Sequence, residues 1–204
     1  MTGQLDRLLE VVHALRQGCP WDAGQTHHSL LHHLVEETAE VVDAVETGTD
    51  ADLREELGDL LLQVVFHCEI ASEREAFTME EVAGQISDKL VARHPYVFSD
   101  APVPDDLNQS WEQRKRAEKA RRSALDGIPV SLPVLARAAK VIARSRAHEV
   151  AVSLPDEPLD EAGYGAEVLA LTARAQAGGV DPEQALRSAL RRLEADVHRA
   201  ETGA

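Results

Sequence analysis

Apolar residues recur along most of the chain at intervals of three and four rather than two, which predicts helices rather than strands. Leu5, Leu8, Leu9, Val12 and Leu15 trace one stripe and predict a helix over about residues 4–17, closed where Gly18-Cys19-Pro20 breaks the pattern. A second stripe, Leu30, Leu31, Leu34, Val35, Val41, Val42 and Val45, predicts a helix over 29–46 that ends at the turn Thr47-Gly48-Thr49-Asp50. The third, over about 51–73, carries LLLQVVFHC at its middle and is apolar nearly all the way round. Such a helix needs cover on several sides, as in a bundle interior or a subunit interface. Thr78-Met79-Glu80-Glu81 is an N-cap with acidic residues in the first turn; it predicts a fourth helix over 78–93, stopped by His94-Pro95.

Beyond His94 the pattern loosens. Residues 99–110 (SDAPVPDDLNQS) lack periodicity and read as an exposed connection; helices follow over about 109–124 and 133–147, separated by Asp126-Gly127-Ile128-Pro129. A second linker, SLPDEPLD at 153–160, sets off a helical tail, so the chain divides into a module over 1–150 and a tail over 151–204. YGAEVLALTARA in the tail faintly echoes LGDLLLQVVFHC of the third helix, a likeness that chance and duplication explain about equally well.

The polar positions of the second and third helices are dense in carboxylates. Glu36, Glu37 and Glu40 crowd one flank of the second, and Glu56 and Asp59, with Glu55 beside them, precede the apolar core of the third. The short turn between the helices makes them antiparallel neighbours, so the two clusters can face each other. At this density like charges repel unless a cation neutralises them, and oxygen-only donors select a hard divalent ion. The competing reading of any one such cluster is a solvated acidic face.

Composition adds charge and location. The 204 residues carry 21 Lys and Arg against 36 Asp and Glu, a net charge of −15 that argues against nucleic acid as the primary partner. Aromatic residues make up only 3%, in keeping with an all-α chain. No apolar run is long enough to span a bilayer and the first residues lack a signal-peptide pattern, so the expectation is a cytoplasmic protein with Cys19 and Cys68 reduced. The positive charge is gathered: residues 114–146 hold ten Lys and Arg, Arg116 and Lys119 among them, against Glu118 and Asp126 alone. A compact cationic stretch of this kind suits a polyphosphate, although solvated helix faces account for many of these side chains.

EETAE at 36–40 followed by EELGD at 55–59 resembles the EExxE and ExxD signature of the MazG nucleoside triphosphate pyrophosphohydrolases, of the all-α pyrophosphatase superfamily. CPWDAGQTHHSL at 19–30, ISDKLVARHPYVF at 86–98, WEQRKRAEK at 111–119 and LDGIPVSLPVLARAAK at 125–140 extend the match in collinear order over about residues 5–150. The resemblance implies an antiparallel helical bundle of that type with a shortened helical C-terminal region. It implies hydrolysis of nucleoside triphosphates between the α and β phosphates, with magnesium as cofactor and manganese as a substitute, in nucleotide-pool house-cleaning. It carries over Glu36, Glu37, Glu40, Glu56 and Asp59 as metal ligands, with Glu37 the candidate base. Lys89, Arg93, Lys115 and Lys140 lie inside the matching motifs as candidate phosphate or substrate contacts, and Trp21 is a candidate for stacking on the base. A homodimer is expected from the apolar third helix. The tail then reads as a second module that has lost its metal ligands, with Gly163 and Ala166 where a Glu and an Asp would stand.

Two other classes compete. A nucleotide-binding regulatory bundle without turnover shares the same composition. A ferritin-like oxidase would use Glu10 and His13 as an ExxH pair, and a zinc site would use His28, His32 and Glu36, but neither has its remaining ligands at the required spacing.

Overall fold

In the computed structural model, which describes residues 3–118 and 121–203, the regular elements are all helices. The chain divides into two compact units, one ending at His94 and the other beginning at Pro95. The first contains α1 (Gln4–Gly18), α2 (Pro20–Ala23), α3 (Leu31–Thr47), α4 (Asp50–Ser72) and α5 (Met79–Arg93). The second contains α6 (Pro95–Phe98), α7 (Leu107–Glu118), α8 (Val134–Ala147), α9 (Glu161–Ala177) and α10 (Pro182–Thr202).

Helix α4 is the spine of the first unit. Its buried face (Val65, Phe66 and Ile70) forms one core with Val12 of α1 and Leu30, with Leu8, Leu9 and Leu62 packed around it. The turn between α3 and α4 is as tight as its sequence predicts. A Cβ on Gly48 would meet the Ala44 carbonyl oxygen at 2.8 Å, so only glycine allows the chain to leave α3 so closely. Thr49 then caps α4: its backbone N–H donates to Asp52 Oδ2 at 2.7 Å, and its hydroxyl accepts from the Asp52 N–H at 3.3 Å. Thr78 and Glu81 repeat the device at α5.

Two boundaries differ from the periodicity. Helix α3 begins at Leu31 rather than Ser29, because Thr26 and Ser29 exchange backbone-to-hydroxyl hydrogen bonds of 2.9 and 3.1 Å in the preceding turn. The helix expected through residue 124 has given way to turns by Ser123. There the Asp126 carboxylate accepts from the N–H groups of Arg122 (2.9 Å) and Ser123 (3.0 Å), and buried Arg144 donates to the carbonyls of Ala124 and Asp126. Side chains take the backbone groups that a continued helix would have paired.

The second unit has its own core, Ile128, Val134, Val141 and Leu190, so α10 packs back on α8. The compact units therefore part at His94, whereas the sequence places the end of the matching module near residue 150. Arg137 ties α8 to Glu194 of α10 at 2.7 Å. Helix α9, by contrast, buries none of its residues.

Candidate metal and nucleotide site

Helices α3 and α4 bring their carboxylates together as the hairpin predicts. One carboxylate oxygen each from Glu37, Glu56 and Asp59 lies within 4.8 Å of the others, the only such cluster of three metal-ligating side chains among the described residues. Partial desolvation, then the charges of Asp59 and Glu40, push the Glu37 carboxyl above its usual range. Desolvation, then Glu40, Glu55 and Asp59, do the same to Glu56. Each group would hold a proton more readily than a free carboxylate, the expected state of a metal-ligand set without its cation. Three oxygen donors at this spacing suit a hard divalent ion that retains open positions for water or phosphate.

Glu40 stands at the edge of this cluster, since it perturbs both Glu37 and Glu56 and shares a hydrogen bond with Glu37. Glu36 turns elsewhere: its carboxylate lies 3.5 Å from His33 Nδ1. The helical spacing groups Glu40 with both Glu36 and Glu37, and of these two it is Glu37 that joins the α4 carboxylates. The rotation of α3 about its axis is fixed by how it packs on α4, which the sequence of α3 does not encode by itself.

Trp21 is 57% exposed on the four-residue helix α2, its ring edge-on to His33 with centroids 6.1 Å apart. His33 is one turn before Glu37 on α3, so the indole lies on the flank that leads toward the carboxylates. Gln25 organises this turn: its Nε2 donates to the Trp21 carbonyl at 3.2 Å and its Oε1 accepts from Ser29 Oγ at 2.6 Å. Lys89 is half-buried and Arg93 buried on α5, which packs against α4. Lys115, with Nζ 5.9 Å from the Trp111 ring, and exposed Lys140 belong to the second unit. Lys119 and the side chain of Arg116 lie outside the described residues.

The histidine of the ExxH alternative is engaged elsewhere. His13 Nδ1 lies 2.6 Å from Glu69 and its Nε2 2.7 Å from Gln17, so both ring nitrogens are engaged in joining α1 to α4. A neighbouring anchor was not visible in the sequence. Arg16, its side chain only 7% exposed, pairs with Glu73 at 2.5 Å and donates to the carbonyls of Asp22 and Gln25. This guanidinium holds α1, the Trp21 turn and the end of α4 at one point. The partners are 57 positions apart in sequence, beyond the reach of any local pattern.

Comparison with known proteins adds relatives to this geometry. Residues 25–98 match the family model described as the MazG nucleotide pyrophosphohydrolase domain, a span that contains every carboxylate of the cluster. The chain is 46% identical over 187 residues to the "Uncharacterized 26.1 kDa protein in blaB 3'region" of Streptomyces cacaoi, covering 89% of this chain and 76% of that one. It is 35% identical over 212 residues to the "Nucleoside triphosphate pyrophosphohydrolase/pyrophosphatase MazG" of Thermotoga maritima, covering 92% and 82%. It is 47% identical over 146 residues to the "Nucleoside triphosphate pyrophosphohydrolase" of Escherichia coli K12, covering 68% of this chain and 56% of that one. The chain thus spans about half the length of the Escherichia coli relative.

Proposed function

Because the chain belongs to the MazG nucleotide pyrophosphohydrolase family, we propose that it hydrolyses nucleoside triphosphates to the monophosphate and pyrophosphate, cleaving between the α and β phosphates. The observation that carries this reading is the convergence of Glu37, Glu56 and Asp59 from two helices. Magnesium, or manganese in its place, is the ion their chemistry suits; when bound it supplies neutralisation of charge on the phosphates. Glu37, Glu56 and Asp59 would hold it, with Glu40 beside them; Glu36, the fifth carboxylate of the implied set, faces His33. Glu37 is the candidate base, because its raised affinity for a proton suits it to accept one from the attacking water. Trp21 offers a stacking face to the base, and Lys89, Arg93, Lys115 and Lys140 are the cationic side chains assigned to the phosphates. Substrates are ribo- or deoxyribonucleotides, noncanonical or damaged ones included, and the role is house-cleaning in the cytoplasm.

The working form is a homodimer. Val35 (70% exposed) and Val45 (65%) on α3, with Leu57 on α4, leave an apolar surface on the hairpin that carries the site. The catalytic module is assigned to 1–150, with its basic extension, and 151–204 to a degenerate second module. Gly163 and Ala166 fall in the first turns of α9 and offer no carboxylate.

The test is product analysis over a panel of canonical and damaged triphosphates with magnesium or manganese. Monophosphate and pyrophosphate in equal amounts are expected. Binding without any product would favour the regulatory bundle, and bound iron after aerobic purification the oxidase.

A further inference from the structure

Two histidines of the first unit form a hydrogen-bonded pair for which the hydrolytic reading has no use. His27 lies in the turn before α3, and His67 lies about two turns beyond Asp59 on α4. Their rings lie edge to edge and nearly coplanar, with centroids 5.1 Å apart, planes 10° from parallel and Nδ1 atoms 2.8 Å apart. On the other edge of His27, Arg74 Nη2 is 2.9 Å from Nε2.

Arginine has no acceptor, so it fixes the tautomers of both rings. His27 Nε2 accepts from Arg74; His27 Nδ1 therefore carries the proton and donates it to His67 Nδ1. His67 then carries its own proton on Nε2, which is buried without a partner. One turn back on α4, Gln63 has a buried Oε1 that is also unpartnered, an acceptor complementary to that proton. The opposite tautomers would set an N–H of His27 against an N–H of Arg74. Both lone pairs of the two rings are in use, so an added proton must break either the Arg74 bond or the bond between the rings.

The pair joins two parts of the site. His27 belongs to the same turn as Gln25, which holds the Trp21 carbonyl, whereas His67 belongs to the helix of Glu56 and Asp59. Other charged groups lie on the helices that contact α4, buried Arg93 of α5 among them. From α1, Arg16 and His13 are paired with Glu73 and Glu69; from α5, Glu80 lines a cleft with Cys68 and Glu69; on α3, His33 faces Glu36.

We propose that His27 and His67, with their tautomers set by Arg74, are positioning residues that clamp the Trp21-bearing segment to the carboxylate-bearing helix, and that one proton taken up by the pair releases it. This rests on the reading of Trp21 as a nucleotide contact. Burial, and then the neighbouring His27, hold His67 below its ordinary value of 6.5, in keeping with a ring that is neutral while clamped. A base with its folded pKa depressed contributes fully above the ordinary value and loses that contribution as pH falls through the lower folded value, so the clamp is closed near pH 7.5 and opens on acidification below 6.5.

The test has two arms on the full chain. Nitrogen-15 spectra of the histidine rings without metal should show His27 protonated at Nδ1 and His67 at Nε2 at pH 7.5. In the second arm, KM and kcat for pyrophosphate release are measured between pH 5.5 and 8. Arg74 is exposed, so Arg74→Met leaves the core intact. It should raise KM at pH 7.5 by about fivefold, the weight of one ordinary hydrogen bond, with kcat little changed and the pH dependence of KM flattened. Arg74→Lys, which can still donate, should restore the native profile. Reversed tautomers, or a KM that Arg74→Met leaves unchanged, would overturn the clamp. An absence of turnover from every triphosphate would defeat the hydrolytic reading instead, and the ring spectra would still decide the clamp.

Discussion

Replacing Asp59 by Asn should separate the two consequences of the carboxylate cluster. The oxygens of Glu37, Glu56 and Asp59 lie within 4.8 Å of one another. Two unit charges at that distance in a near-aqueous dielectric repel by about 1 kcal/mol, and the partial exposure of the site keeps the figure near this lower limit. Asp59→Asn removes the repulsion with Glu37 while keeping the shape of the side chain. The metal-free variant should therefore melt higher than the native chain, by about 4–8 °C for a unit of roughly a hundred residues. With magnesium the order should invert. An ion present at about 100 times its Kd adds about 2.7 kcal/mol to the native state, and the variant, short of one ligand, should gain a small part of this. Calorimetry in EDTA and in excess magnesium reads both effects, and pyrophosphate release should fall at least about a hundredfold, as expected when a charge-stabilising ligand is lost. A variant that melts lower in EDTA, or that keeps the full magnesium-induced rise, would refute the reading of the cluster as a repulsive site awaiting a cation.

Two further outcomes follow from other side chains. Glu37→Gln should lower kcat by about 10²–10⁴ while nucleotide still binds, which calorimetric titration beside a turnover assay would detect. Arg16→Met should cost about 2–3 kcal/mol in urea unfolding, since it strips a buried guanidinium from Glu73 and two carbonyls. It should also change the acid limb of stability. The Arg16 hydrogen bond holds Glu73 below the ordinary carboxylate value of 4.5, so this stabilisation is complete above that value and is lost as pH falls below it. In Arg16→Met the urea midpoint should decline less between pH 6 and 3, and an unchanged decline would place the acid sensitivity elsewhere.

The hairpin and its chemistry were legible because they are local. Apolar periodicity located α1, α4, α5 and α8 to within a residue or two, and Thr78 with Glu81 announced its cap. What the chain hides is set by contacts distant in sequence. That Glu37 rather than Glu36 meets Glu56 depends on how α3 is rotated against α4. The Arg16–Glu73 and His27–His67 contacts join residues 57 and 40 positions apart, and the core that α10 shares with α8 joins residues from either side of the linker at 153–160. The end of helix around Ser123 depends on a side-chain competitor, Asp126, that helix propensity does not weigh.

The acidic excess of the chain acquires a physical meaning on the hairpin. Helix α3 has no basic residue in its last turn, and Glu40, Asp43 and Glu46 lie in its C-terminal half, against the sense of the helix dipole. Asp50 and Asp52 at the start of α4 are favourably placed, but they bring more negative charge to the same turn. Desolvation first, and then the neighbouring carboxylates, raise the proton affinity of Glu37 and Glu56. What opposes this is the apolar core around Val65 and Phe66, the Thr49 cap, and the Arg16 anchor at the far end of α4. The unit therefore keeps its stabilising contacts away from the carboxylates and leaves the site itself strained by like charge. A functional site that breaks the local rules while its surroundings satisfy them is the pattern expected where binding, rather than folding, supplies the missing counter-charge. On the proposed reading, a divalent ion would supply the counter-charge that Glu37, Glu56 and Asp59 lack where they converge.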